Sequence, residues 1–328
     1  MVFKGEKIFK REKEVKYLFH KPYRNTDKLI IVFSAFSAIG KGPRYNYINT
    51  LEDFDCNKLF ILDDFGSRAS YYLCENRDFS IERSVYQLIQ AIIKEYNIKN
   101  TMACGSSKGG YAALYYGLKY GFDHIIVASP QYFIGDYILK QTNSEDVARF
   151  MSGSDNVKDK KFLNDIMPDI ISQTTYKPNV FIHLGEREYH YKSHVLPLLS
   201  KLDEFNIEYQ LDLGDYDDHQ EVIKYYPGIL KEKVMEIFEF PPLKFDMDLS
   251  EEIKLHSIHT IKAVTNSEEN KIAWYLYRDG RKIKTKNYSY ERNFMVTFNN
   301  PGVYRIKAFT INKLGHKTSI TTKKIKVS

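Results

Sequence analysis

Residues 104–110 read Cys-Gly-Ser-Ser-Lys-Gly-Gly, and Gly105 to Gly109 within them fit the spacing G-x-S-x-G. A serine can act as a nucleophile when it sits on a tight strand-to-helix turn that lifts its hydroxyl above the sheet. The neighbours two residues away must then be small. Ser107 occupies that position, and the N–H of Lys108, at a helix N-terminus, points where an oxyanion would form. Such a serine needs a base, and the base needs an orienting acid. His219, in GDYDDHQEV, lies between a strand and a closing helix and is the expected base. The acid is expected in the loop after the strand NVFIHL, with Glu188 first and Glu186 as the alternative. The second oxyanion donor is expected from the turn Phe33-Ser34-Ala35-Phe36, at the N–H of Ala35 or, next, Phe36.

The elements around these residues suit that chemistry. KLIIVFSAF (28–36) and KLFILDDFG (58–66) are unbroken apolar runs that read as buried strands. Ile81 to Tyr96 places Val85, Leu88, Ile89, Ile92 and Ile93 on one helical face. Strands are further expected at 101–104, 124–128, 179–184 and 207–213, with a helix at 111–120 and a closing helix at about 221–238 broken or kinked at Pro227-Gly228. This alternation predicts a mostly parallel sheet with helices on both faces. The stretch 131–178 breaks the order and reads as an inserted cap. Its Tyr132, Phe133 and Tyr137 would offer flat faces to a sugar, with Gln131, Asp136 and Asn143 as hydroxyl binders. Arg187 reads as a clamp for a polar substrate or as a surface charge. After Pro241-Pro242 the pattern changes to period two, with a hairpin turn at Asp279-Gly280 and Trp274 and Tyr304 as core candidates. The expected domains are 1–240, with the cap at 131–178, and an all-β sandwich at 241–328.

Composition bounds the alternatives. Of 328 residues 43% are hydrophobic and 27% charged, which suits globular domains needing no disulfide or metal staple. Three cysteines without a CxxC pair point to a reducing compartment and a cytoplasmic location. No signal peptide or transmembrane segment is read. No phosphate loop, dinucleotide fingerprint or zinc-ligand spacing occurs, so neither a cofactor nor a metal is expected. The net charge of +6 is read as spread among solvated lysines, and no nucleic-acid recognition motif accompanies the aromatic residues.

CGSSKGG, GEREYH and DDHQ, in this order, resemble the α/β-hydrolase superfamily over about residues 28–238. Ser107, Glu188 and His219 fall on its triad positions, with Glu where Asp is usual. The opening strand, long cap and appended sandwich look like hydrolase-fold proteins of bacterial surface-polysaccharide and accessory-secretion systems. The C-terminal part resembles small immunoglobulin-like modules, a contact surface for a protein or a glycan. The resemblance implies a serine esterase or O-acyltransferase working through an acyl-Ser107 intermediate on an acylated carbohydrate or other small ester. A non-catalytic scaffold or assembly factor of the same fold is the alternative.

Overall fold

The computed structural model describes residues 3–37, 40–246 and 252–328. The chain divides into two compact units, Met1–Ile48 with Cys56–Leu230, and Asn49–Asp55 with Lys231–Ser328. The sequence division at 240/241 lies ten residues later than this one and does not anticipate the short segment 49–55. The pattern change at Pro241 marks the onset of alternating strands, whereas the end of the closing helix already packs with them.

In the first unit eight strands form one sheet: β1 (Lys7–Lys10), β2 (Glu14–His20), β3 (Lys28–Phe33), β4 (Asn57–Ile61), β5 (Asn100–Ser106), β6 (His124–Ala128), β7 (Asn179–Gly185) and β8 (Tyr209–Gly214). Their order is β1-β2-β4-β3-β5-β6-β7-β8. The β1–β2 and β2–β4 pairs are antiparallel and all the others parallel. Strands β3 to β7 are buried almost throughout, which is why they read as continuous apolar runs. Helix Ser80–Glu95 buries Val85, Leu88, Ile89 and Ile92, the face anticipated from spacing.

The region 131–178 is two things rather than one cap. A short helix Ile134–Asp136, a π-helical turn Tyr137–Gln141 and a helix Glu145–Ser152 come first. Helix Val157–Gln173 then packs on helix Lys108–Tyr120 and sends Leu163, Ile166, Met167 and Ile171 into the main core. This second half is the ordinary crossover helix of a parallel sheet. Of the break or kink expected at Pro227, the break is absent: the closing helix runs from Val222 to Ile237 through Pro227. Proline removes the N–H that would reach the carbonyl of Ile223. Ile223 is 76% exposed, so water can take that carbonyl at small cost.

The second unit is all-β apart from the helix end and segment 49–55. Its strands are β9 (Lys244–Asp246), β10 (Glu252–Ile253), β11 (Ile258–Val264), β12 (Lys271–Arg278), β13 (Arg281–Ser289), β14 (Asn293–Thr297), β15 (Gly302–Ile311), β16 (Lys317–Thr321) and β17 (Ile325–Val327). One sheet runs β10-β17-β15-β12-β13 with β16 also on β15, and the other β14-β11-β9. Trp274 and Tyr304 are buried in the core between them. Asp279 and Gly280 have φ of 49° and 79°, the left-handed conformation that a two-residue hairpin turn requires.

Candidate active site

Strand β5 delivers Ser107 at the start of helix Lys108–Tyr120 with φ 53° and ψ −120°. That is a strained conformation for a residue with a side chain. The surrounding glycines explain how the turn closes. A Cβ on Gly105 would lie 2.5 Å from the backbone of Gly109, and one on Gly109 would lie 2.3 Å from the carbonyl oxygen of Phe33. The Ser107 N–H donates to the Ala128 carbonyl at 2.8 Å, which locks the turn to β6.

Three loops converge on the hydroxyl. His219 Nε2 is 3.1 Å from Ser107 Oγ, and His219 Nδ1 is 2.5 Å from Glu188 Oε1. With Nδ1–H donating to the carboxylate, Nε2 is left to accept the serine proton. Glu188 has a fully buried side chain. Its other oxygen accepts from Ser129 Oγ at 2.7 Å and from the Gly185 N–H at 3.4 Å. Glu186, the alternative acid, is exposed, and its backbone bonds to Gly214.

A second group of side chains packs on the serine. Gln131 Nε2 donates to Ser107 Oγ at 2.6 Å and lies 3.3 Å from His190 Nε2. His190 Nδ1 faces Glu188 Oε1 at 3.3 Å, and its ring stacks on that of His219 with centroids 4.0 Å apart. Burial, then the neighbouring His219 and His194, push the pKa of His190 down to about 2, so the ring is neutral. Its Nε2 can then accept from Gln131, while its buried Nδ1 makes no hydrogen bond. Burial likewise lowers His194 to about 4, and its Nδ1 accepts the N–H groups of Tyr132 and Phe133 at 3.2 and 3.3 Å.

The side chain of Lys108 is buried and pairs with Asp63 at 2.7 Å. Burial lowers its pKa, and Asp63 opposes that shift. Asp63 also accepts from the N–H and hydroxyl of Ser70. Tyr72, whose ring lies 4.6 Å from the Lys108 ammonium, accepts the Ser34 N–H at 2.7 Å. Lys108 thereby ties the loops after β3 and β4 to the elbow. As the first residue of its helix, its N–H has no intrahelical acceptor.

Several expected residues sit differently. The Ala35 N–H donates to Asn46 Oδ1 at 3.0 Å, so that donor is occupied. Tyr132 and Tyr137 are 3% and 8% exposed and offer no open face. Tyr132 packs against Phe133, and Tyr137 stands between Ser107, His190 and His194. Arg187 is an exposed partner of Asp215 at 2.9 Å. Gln131 is fully buried beside the serine rather than part of an open sugar surface. Glu188, His190 and His219 also lie close enough to share a metal ion, but the hydrogen-bond chain to Ser107 already uses the atoms of His219 and Glu188. Asp63, Gln131 and His190 had no motif to mark their part in the site. Their partners come from distant elements.

Residues 63–226, half of the chain, match the model of the Uncharacterised protein family (UPF0227). The chain belongs to that family. No curated protein matches. Among solved structures it is similar to the capsule O-acetyltransferase of Neisseria meningitidis serogroup A, at 28% identity and TM-score 0.59, over 67% of this chain and 91% of that one. A histidine-to-alanine variant of that enzyme in complex with CoA is 26% identical, with TM-score 0.61, over 71% and 96% of the two chains. The fluorophosphonate-binding serine hydrolase F of Staphylococcus aureus shares the fold at 15% identity and TM-score 0.52, over 68% and 92%. The UPF0227 member described here has the α/β-hydrolase fold. It is a serine hydrolase-type enzyme, an ester hydrolase or an acyltransferase. No helix among its described residues is long and apolar enough to cross a membrane.

Proposed function

We propose that this UPF0227 protein transfers an acyl group to a glycan hydroxyl through an acyl-Ser107 intermediate, with Ser107, His219 and Glu188 as its triad. The observation that carries this reading is the continuous chain from Glu188 through His219 to a serine held at positive φ. Ser107 Oγ attacks the acyl carbonyl while His219 Nε2 takes its proton. The Lys108 N–H binds the oxyanion, and His219 then protonates the leaving group. In the second half His219 removes the proton of the acceptor hydroxyl, whose oxygen attacks the acyl carbon, and then returns that proton to Ser107 Oγ as the serine leaves. Glu188 accepts from Nδ1–H and holds the imidazole in the required tautomer. The second oxyanion donor is the Ala35 N–H once Asn46 turns away. Tyr132 and Tyr137 act as walls that exclude water from the acyl-enzyme.

A glycan acceptor is favoured over water because the similar structures at 26–28% identity are those of a capsule O-acetyltransferase. One of them binds CoA, so acetyl-CoA is the donor to try first. The test incubates purified protein with acetyl-CoA, with and without oligosaccharide acceptors, and with p-nitrophenyl acetate. Release of free CoA and O-acetylated sugar, both lost in Ser107→Ala, is the expected result. Turnover in Ser107→Ala close to that of the natural protein would refute the acyl-serine reading. Release of acetate with no transfer to any acceptor would leave an esterase.

A further inference from the structure

Charge is distributed unevenly along the chain. Residues 241–328 carry 17 Lys and Arg against 8 Asp and Glu, a net +9, whereas residues 1–240 carry 31 against 34, a net −3. The segment 49–55 and the helix end that complete the second unit add acids, but Asp53 among them is held by Lys231 at 3.0 Å. Some lysines of the second unit are matched: Lys286 with Glu291, Lys313 with Glu269 and Lys326 with Glu252.

One face of the larger sheet is different. Along β12 and β15 the even-numbered residues Trp274, Leu276, Tyr304 and Ile306 are buried, so Tyr275, Tyr277, Arg305 and Lys307 point outward. The register pairs Tyr277 with both Lys282 and Arg305, and Tyr275 with Lys307. Facing pairs of this kind lie within side-chain reach. Lys282 Nζ sits 4.3 Å from the centre of the Tyr275 ring, and that ring meets Phe309 edge-on at 4.8 Å. Tyr277, Arg305, Lys307 and Lys324 line a groove of about 690 Å³ whose acids are Glu52 and Asp279. Asp279 already accepts the Val303 N–H at 2.9 Å. Among the described residues Lys282, Arg305, Lys307 and Lys324 have no ion-pair partner, and Arg305, Lys307 and Lys324 converge on one groove.

We infer that this face is a binding site for an anionic polysaccharide. Carboxylate or phosphate groups along the chain would pair with Arg305, Lys307 and Lys324, and sugar rings would lie against the Tyr275 and Tyr277 rings. The groove has the volume of a ligand cleft rather than of a flat surface contact. The choice of a glycan over other polyanions rests on the proposed function, since a transferase acting on a polymer gains from holding the polymer at a second point. An anionic bilayer would be better served by protruding apolar side chains than by the half-buried tyrosines of this face.

The test is an equilibrium binding titration of the full chain. Polygalacturonate is compared with neutral dextran, a short single-stranded DNA and phosphatidylglycerol vesicles, at one moderate salt concentration. Polygalacturonate is expected to bind most tightly and to weaken as salt rises. Arg305→Gln with Lys324→Gln should weaken it about tenfold, or about 1.4 kcal/mol, with an unchanged circular-dichroism spectrum and melting curve. Should that pair fail to fold, Lys307→Gln alone is expected to move binding in the same direction. Ser107→Ala should bind polygalacturonate as the natural protein does, so failure of the catalytic reading would leave this result intact. Binding no tighter than to dextran, or undiminished in the folded variants, would overturn the inference. So would DNA or vesicles binding as tightly as polygalacturonate.

Discussion

The two units handle charge in opposite ways. In the α/β unit Asp63, Lys108 and Glu188 have side chains at most 2% exposed, and each is matched by a counter-charge or by several donors. On the outer face of β12 and β15, cations stand beside aromatic rings with no ion-pair partner among the described residues. Burying a charge is tolerable only when it is paired, because desolvation otherwise dominates. The first arrangement therefore fixes geometry, and the second leaves charge available to a ligand. Substitutions in the first should act on turnover or stability, and substitutions in the second only on polymer binding.

The largest effect is expected at the acid. Glu188→Gln should lower kcat about 10³–10⁴-fold, since the base loses its tautomer control. Glu186→Gln, on an exposed side chain, should leave kcat within about twofold. Equal losses in the two variants would remove the distinction between the buried and exposed acids of this loop.

A smaller effect is expected at Gln131, on the other side of Ser107. Gln131→Ala removes the donor 2.6 Å from Ser107 Oγ and should lower kcat for p-nitrophenyl acetate by about 10–100-fold. An effect confined to KM would mean that Gln131 handles substrate rather than the nucleophile.

Stability should depend on pH through His190 and His194. Their folded pKa values, about 2 and about 4, lie below the ordinary 6.5. Below pH 6.5 the unfolded chain therefore binds protons that the folded chain refuses. The stabilisation is present in full above pH 6.5 and falls by about 1.4 kcal/mol per pH unit for each histidine on acidification. The loss continues to about pH 4 for His194 and further for His190. Urea titrations of the natural protein and of His190→Asn between pH 7 and pH 4 should show a shallower decline in the variant. Parallel declines would mean that His190 is protonated in the folded state.

The smallest effect is expected at Asn46, which holds the Ala35 N–H at 3.0 Å. If that N–H serves the oxyanion, Asn46→Ala should raise kcat/KM by up to about threefold, because an occupied donor must otherwise be vacated. A tenfold fall would give Asn46 itself a part in the reaction.

Much of this architecture could be read from the residues. The buried strands announce themselves by apolar runs, and the spacing around Ser107 follows from contacts that leave no room for a Cβ at Gly105 or Gly109. The loops bearing Glu188 and His219 could be located by their order in the chain. Gln131 and His190 could not be assigned their part, because it depends on three loops meeting in space. Tyr132 and Tyr137 looked like an open sugar platform because periodicity says nothing about which segments later cover them. Half of the region 131–178 was mistaken for a cap because helix Val157–Gln173 mixes lysine and aspartate with a narrow apolar stripe. The charge difference between the units was present in the composition but was hidden by averaging over the whole chain.

The most direct test of the acyl-Ser107 relay is to trap the intermediate. The protein is mixed with acetyl-CoA or p-nitrophenyl acetate, quenched in acid within the first turnover, digested and examined by mass spectrometry. The relay predicts one acetyl group on the peptide containing Ser107, absent from Ser107→Ala and discharged when an acceptor sugar is added before the quench. Acetyl found on another residue, or product formed with Ser107 never acylated, would contradict it.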